Sequence, residues 1–123
     1  MKILLIYPSR LDEKGLPIRY INGYLPPLVL AQLAALTPPE HHVAAINAAI
    51  EDIPYDTRWD VVAITALTPE IEHGYKIADE FRSMDFPPIV IIGGIHATLL
   101  PEEAAQHADV VVVGEAETIW RKV

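Results

Sequence analysis

An α/β fold built on one open parallel sheet is what this sequence predicts, and three observations predict it. The runs Ile89-Val-Ile-Ile92 and Val110-Val-Val-Val113 are apolar and β-branched without alternation, as expected of strands covered by helices on both faces. Such runs alternate along the chain with segments of helical spacing, the pattern of repeated strand-helix-strand units. Two of the runs end in glycine turns that carry polar side chains, Gly93-Gly-Ile-His-Ala-Thr98 and Gly114-Glu-Ala-Glu117. Glycine lets another group approach the backbone closely, and the carboxyl ends of strands are where a parallel sheet holds a ligand.

Lys2 to Tyr7 is the first strand, and a long polar loop from Pro8 to Gly23 follows. Pro26-Pro27 opens a helix in which Leu25, Val29, Leu33 and Leu36 recur at helical spacing, and Thr37-Pro38-Pro39 stops it. Val43 to Asn47 is a second strand and Asp60 to Thr65 a third. Thr68 reads as the N-cap of a second helix begun by Pro69-Glu70, with Ile71, Tyr75, Ala78 and Phe81 as its inner stripe. Ile89 to Ile92 and Val110 to Val113 complete five strands, separated by a short helix led by Pro101-Glu102-Glu103. Right-handed crossovers then favour the strand order 2-1-3-4-5, a flavodoxin-like, Rossmann-like three-layer sandwich. Ala116 to Val123 reads as the first turns of a further helix, with Glu115 and Glu117 at its positive end and Arg121 and Lys122 beyond. The expectation is therefore a single domain over residues 1–123 that is the N-terminal fragment of a longer protein.

With 123 residues and 51% hydrophobic content, one domain with a real core is what the chain can build. No apolar stretch approaches the ~20 residues that span a bilayer, and the apolar start is too short for a signal peptide, so a cytoplasmic protein without a membrane span is expected. The absence of cysteine excludes disulfides, thiolate zinc sites, a cysteine nucleophile and an iron-sulfur cluster ligated by these residues. A formal charge of −8 opposes a nucleic-acid partner, because such binding relies on Lys and Arg releasing counterions. The first strand leads into Tyr7-Pro8-Ser9-Arg10-Leu11-Asp12-Glu13-Lys14-Gly15, which contains neither a dinucleotide-binding nor a nucleoside-triphosphate glycine loop, nor the acidic pair of a phosphotransfer domain.

The five histidines show no metal spacing, and a surface or loop position is the default for each. His96 alone stands at a strand's carboxyl end beside two glycines, where it either touches a ligand or caps the next turn. Glu115 and Glu117 are two apart and do not share a helix face, so they read as helix-start acids rather than an acid/base pair. Ser9 and Thr65 are candidate hydroxyls at the ligand edge. Trp59 and Trp120 read as packing residues. No nucleophile, metal triad or acid/base pair emerges, so no catalytic residue is assigned.

Four segments, in order and spacing, carry a resemblance: Pro26-Pro-Leu-Val-Leu-Ala-Gln-Leu-Ala-Ala35, Asp60-Val-Val-Ala-Ile-Thr65, Gly93-Gly-Ile-His-Ala-Thr98 with Pro101-Glu-Glu103, and Val113-Gly-Glu-Ala-Glu117. Together they resemble the N-terminal cobalamin-binding domain of radical S-adenosylmethionine enzymes, of the cobalamin-dependent methylase or magnesium-protoporphyrin monomethyl ester cyclase type. The resemblance covers almost the whole chain. It implies a five-stranded sheet that cradles cobalamin at the carboxyl ends of its strands, joined to a C-terminal barrel that holds a 4Fe-4S cluster and S-adenosylmethionine. It also implies that Thr65-Ala66-Leu67 stands where the wider family has Ser-x-Leu, and that Gly93-Gly94 is the glycine pair along which the cofactor's nucleotide tail lies. His96, Ala97, Gly114 and Glu115 fall in the neighbouring matched segments, and Ser9 after the first strand. The family's Asp-x-His-x-x-Gly motif is missing between Ser9 and Gly15, as in radical enzymes of this class, so no histidine from that loop replaces the cofactor's lower base. Gly114-Glu115-Ala116-Glu117 departs from the usual Gly-Glu-Gly-Glu at one position.

Two other readings fit the inventory: a degenerate scaffold that has lost its ligand and serves as an interface within the same enzyme class, and a flavin- or nucleotide-binding flavodoxin-like domain. The second needs a hydroxyl-rich phosphate loop after the first strand, where Ser9 stands alone.

Overall fold

The computed structural model describes residues 1–17, 28–48, 51–114 and 120. Five parallel strands, β1 (Lys2–Tyr7), β2 (His42–Asn47), β3 (Val61–Thr65), β4 (Ile89–Gly93) and β5 (Val110–Val111), lie side by side in the order β2-β1-β3-β4-β5, as expected. Four helices flank them: α1 (Leu28–Leu36), α2 (Ile71–Arg82), α3 (Ile95–Leu99) and α4 (Pro101–Ala104). The Pro26-Pro27 helix opening, Glu115 and the helix proposed from Ala116 onward lie outside the described residues.

Successive residues of a strand point to opposite faces, and in the central strands β1, β3 and β4 both faces are covered, whereas the burial expected of Val110 to Val113 fails at the edge, where Val110 and Val113 are exposed. Leu4, Ile6, Val62, Ile64, Val90 and Ile92 pack under α2 with Ile77, Ala78 and Phe81. Ile3, Leu5, Val61, Ala63 and Ile91 face the other way and meet Leu30 and Leu33 of α1 together with Trp120. Burial on both sides is why these strands read as continuous apolar runs. Both tryptophans fill such gaps: Trp59 donates its indole N–H to the Pro54 carbonyl at 3.1 Å, and Trp120 donates to Thr37 Oγ1 at 2.8 Å.

An aspartate fixes the lower, amino-terminal edge of the sheet at two places. Asp60 accepts the Lys2 amide through Oδ2 at 2.7 Å while its own N–H donates to the Lys2 carbonyl at 2.9 Å. Asp109 repeats the arrangement on Val90, with both contacts at 2.8 Å. Each aspartate thereby aligns its following strand with the neighbour, and Asp60 stands just before β3 rather than within it. At the upper edge, the β3–β4 register sets Thr65 directly beside Gly93.

Several boundaries differ from expectation. β2 begins at His42, one residue early. β5 ends at Val111, although the Val112 amide still donates to the Ile92 carbonyl at 2.9 Å before the chain turns at Gly114. Thr68 is not an N-cap: it opens a 3-10 turn over Thr68–Glu70 whose cap position is Leu67, and no side chain caps either that turn or α2. The hydroxyl of Thr68 is directed to His96 instead. Tyr75 lies at the half-buried margin of α2 rather than in its inner stripe, which His73, Gly74 and Ile77 share with the expected residues. α3 was not foreseen, because a five-residue helix has too few turns to show a periodicity.

Ile92 and Ile89 lie on one strand with opposite exposures, 0% and 52%. Ile92→Ala should cost about 2–5 kcal/mol in urea denaturation, and Ile89→Ala less than about 1 kcal/mol. Equal losses would contradict the burial of Ile92 beneath α2.

Candidate functional site

The upper edge of the sheet gathers the ends of β1, β3, β4 and β5. Between α1 and the sheet it opens a narrow slot lined by Leu30, Leu33, Ala63, Thr65, Gly93 and Gly94, with Val112 and Trp120 closing its far side. The walls are apolar, and the Thr65 hydroxyl makes no hydrogen bond to any other described residue. The cavity measures about 20 Å³, room for about one water molecule.

Gly94 is the point on which the geometry of this edge turns. Its φ is +101°, a region that side chains avoid, and a Cβ there would lie 2.7 Å from the Ala66 carbonyl oxygen and 2.9 Å from both the Ala66 nitrogen and Thr65 Oγ1. The glycine therefore serves the protein's own packing first: it lets the turn after β4 close onto the turn after β3. Gly93 is less confined, with Val112 Cβ 3.4 Å from the corresponding position. Gly114 has φ +90° with open space around it.

Of the residues singled out in the sequence, Thr65, Gly93 and Gly94 meet at the slot. Ala66 is buried beneath Gly94, and Leu67 is exposed at the rim. Gly114 is exposed at the end of β5, and Glu115 lies outside the described residues. His96 and Ala97 face the α2 side, Ala97 fully buried in that core layer. Ser9 is not part of the slot. It is 2% exposed; its N–H donates to His73 Nδ1 at 2.9 Å and its hydroxyl to the Arg10 carbonyl at 3.2 Å.

Two histidines are buried, His73 against the surface or loop position expected of it. His73 is buried on α2, and as its Nδ1 accepts the Ser9 amide, the neutral ring carries its proton on Nε2. His96 is 6% exposed and bridges two elements: Nε2 lies 2.8 Å from Glu103 Oε1 and Nδ1 3.1 Å from Thr68 Oγ1. A carboxylate only accepts, so in the neutral ring Nε2 donates to Glu103 and Nδ1 accepts from Thr68. Tyr75 donates to the same Glu103 oxygen at 2.8 Å and stacks on His107, which in turn meets Asp79 at 2.9 Å. Hydrogen bonds from His96 and then Tyr75 hold the Glu103 carboxyl below its ordinary 4.5. Burial, helped by the Glu103 hydrogen bond and charge, pushes the Tyr75 hydroxyl upward. Burial also raises Glu70, against the opposing pull of a backbone hydrogen bond and of Arg10.

Glu103 and Tyr75 were not singled out from the sequence as site residues. The available signal was the seven-residue spacing of His96 and Glu103, which a loop at Leu100 obscures. No group of three His, Asp or Glu side chains that could hold a metal occurs among the described residues.

A family profile described as a B12 binding domain matches residues 15–123. The chain is 46% identical over 94 residues to a bacteriochlorophyllide d C-8(2)-methyltransferase of Chlorobaculum tepidum, covering 76% of this chain and 20% of that protein. It is 36% identical over 99 residues to the bacteriochlorophyllide d C-12(1)-methyltransferase of the same organism, covering 79% and 21%. An uncharacterized methyltransferase of Pyrococcus horikoshii is 31% identical over 134 residues, covering 100% and 28%. The chain thus spans between about a fifth and just over a quarter of these relatives' length. No solved structure matches it.

Gly94→Ala should destabilise the ligand-free protein by at least about 2 kcal/mol, from strained φ plus contact with Ala66, whereas Gly114→Ala should cost about 1 kcal/mol from φ alone. Thermal denaturation of the two variants decides this, and equal losses would contradict the close approach at Ala66. Glu103 contributes stability that is present above its unfolded pKa and lost as the pH falls below 4.5 through its depressed folded value. Glu103→Gln should therefore flatten the loss of stability between about pH 5 and 3 relative to the parent, a difference in which the opposite titration of Glu70 cancels. An unaltered pH profile would show that His96 and Tyr75 do not hold the carboxylate in solution.

Proposed function

This chain belongs to the B12-binding domain family, and we propose that it serves as the cobalamin-binding module of a radical S-adenosylmethionine enzyme. The observation that carries the reading is the convergence of Thr65 and the Gly93-Gly94 pair on one apolar slot at the carboxyl edge of the sheet. A cobalamin tail combines a flat apolar base with a ribose and one phosphate. Glycine backbone, aliphatic walls and the Thr65 hydroxyl match it in kind. A slot of about 20 Å³ admits such a tail only if Trp120 or α1 moves away from the sheet.

When bound, the cobalt supplies the capacity to carry a methyl group, and the protein contributes binding and orientation. On this reading Leu30, Leu33, Ala63 and Val112 sheathe the tail, Thr65 hydrogen-bonds it, and Gly93 and Gly94 let it lie along the backbone. No described histidine is free to approach the metal from this edge: His73 is buried against Ser9, and both ring nitrogens of His96 are engaged. That supports a cofactor without a histidine ligand from these residues. The relatives' names favour methyl transfer over ring formation as the parent reaction. The 4Fe-4S cluster and S-adenosylmethionine then belong to a catalytic domain outside the cysteine-free chain.

One observation favours a second reading, a scaffold that binds no cofactor: Trp120 already lies at 8% exposure in the slot wall, anchored to Thr37. Titration with hydroxocobalamin separates the two. Cobalamin retained through gel filtration, with a spectrum lacking histidine ligation, is expected of the module. Absence of binding, both here and in the full-length parent, would leave the scaffold. Thr65→Val, which removes one hydroxyl at nearly constant volume, should weaken binding by about 1 kcal/mol, roughly fivefold in Kd. An unchanged Kd would remove Thr65 from the site.

A further inference from the structure

Thr98 stands in α3, beside the slot but not in its wall, and its hydroxyl serves as both donor and acceptor. Oγ1 donates to the Gly94 carbonyl at 2.9 Å and accepts the Gly114 amide at 2.9 Å. The backbone N–H of Thr98 also donates to the Gly94 carbonyl, at 3.1 Å. The two partners are the positive-φ glycines that end β4 and β5. Among the described residues, no other side chain is hydrogen-bonded to both turns.

Past the hydrogen bond from the Val112 amide to the Ile92 carbonyl, the β5 side of this pairing has few other contacts among the described residues. β5 contributes two residues to the ladder, and no heavy atom of a described residue beyond its chain neighbours lies within 4 Å of where a Gly114 side chain would begin. The other turn is fixed rigidly, because Gly94 rests on the Ala66 backbone. A hydroxyl that joins the rigid turn to the loose one therefore sets the position of the loose one. Gly93, Gly94 and Val112 all line the slot, and Gly114 follows Val112 by two residues. Val112 is already held by the hydrogen bond from its amide to the Ile92 carbonyl, and the Thr98 hydroxyl fixes the turn beyond it.

We propose that Thr98 is a positioning residue for cofactor binding: its hydroxyl straps the turn after β5 to the turn after β4 and so holds this side of the slot's mouth in place while a cobalamin tail enters on the α1 side. The inference rests on the cobalamin reading above. Serine keeps one hydroxyl donor and acceptor and can replace threonine. Valine keeps the shape and the β-branched stiffness in the helix but loses both contacts.

Thr98→Val and Thr98→Ser, made in the full chain, test it with two measurements. In the ligand-free protein, exchange of the Gly114 amide with solvent should be roughly tenfold faster in the valine variant and near the parent rate in the serine variant. With hydroxocobalamin, the valine variant, still folded by circular dichroism, should bind about tenfold more weakly, and serine should restore the Kd to within about twofold. Unchanged Gly114 exchange in the valine variant overturns the strap itself. Faster exchange with an unchanged Kd overturns its part in binding, and so does a serine variant as weak as valine. Absence of cobalamin binding in both the unsubstituted chain and the full-length protein overturns the cobalamin reading and with it the positioning role, while the exchange rates still report whether the strap exists.

Discussion

The close approach of Gly94 to the backbone of Ala66 is the constraint on which the upper edge of this protein depends. A parallel sheet delivers each strand end to the same edge, but the turns that follow diverge unless something lets them touch. Here the 2.7 Å between the Ala66 carbonyl oxygen and the place a Cβ would occupy leaves no residue but glycine. Once those turns meet, Thr65 and Gly93 are held side by side by their register, α3 starts at a fixed point, and Thr98 is carried to within reach of Gly114. The slot between α1 and the sheet is a by-product of this closure.

The two edges of the sheet are held by different chemistry. At the lower edge, Asp60 and Asp109 each grip a neighbouring strand's backbone through two hydrogen bonds, so the strands enter in register. At the upper edge the contacts are glycine against backbone, one threonine hydroxyl, and the histidine-carboxylate bridge from His96 to Glu103, which secures α3 and α4 to the α2 layer through Tyr75. Among the described residues, charged groups thus sit below or behind the slot and leave its walls apolar. For a chain of formal charge −8 this separation matters, because carboxylates at the slot would repel a ligand that carries a phosphate.

Much of this architecture is legible in the sequence for a simple reason: strands buried on both faces betray themselves as unbroken β-branched runs, although the same pattern at Val110 to Val113 belongs to a short edge strand whose ends are exposed. Ile89-Val-Ile-Ile92 and the strand order were readable in this way. The site was legible where a residue type has one dominant use, as with the glycine pair. It was not legible where a side chain's partner is far away in sequence. Thr68 has the identity and position of a helix cap, yet its hydroxyl serves His96, 28 residues on. Ser9 looks like a ligand hydroxyl at a strand end, yet His73, 64 residues away, engages its backbone. Gly94 reads as room for a ligand, whereas the first group it makes room for is Ala66.

That last difference alters what a glycine pair means. If both glycines existed to admit a ligand, both would show open space beside them, and neither would matter to the unliganded fold. Instead Gly94 is packed against main chain, and Gly93 stands at ordinary contact distance from Val112. The pair divides its work: one glycine closes the edge and the other keeps the slot wall thin. Around that edge Leu67, Ile95, Leu99 and Val113 are 40–68% exposed, an apolar rim that a free soluble surface seldom carries without a partner. The floor of this edge is therefore closed by glycine against main chain before any ligand arrives, and its apolar side chains are left at the rim.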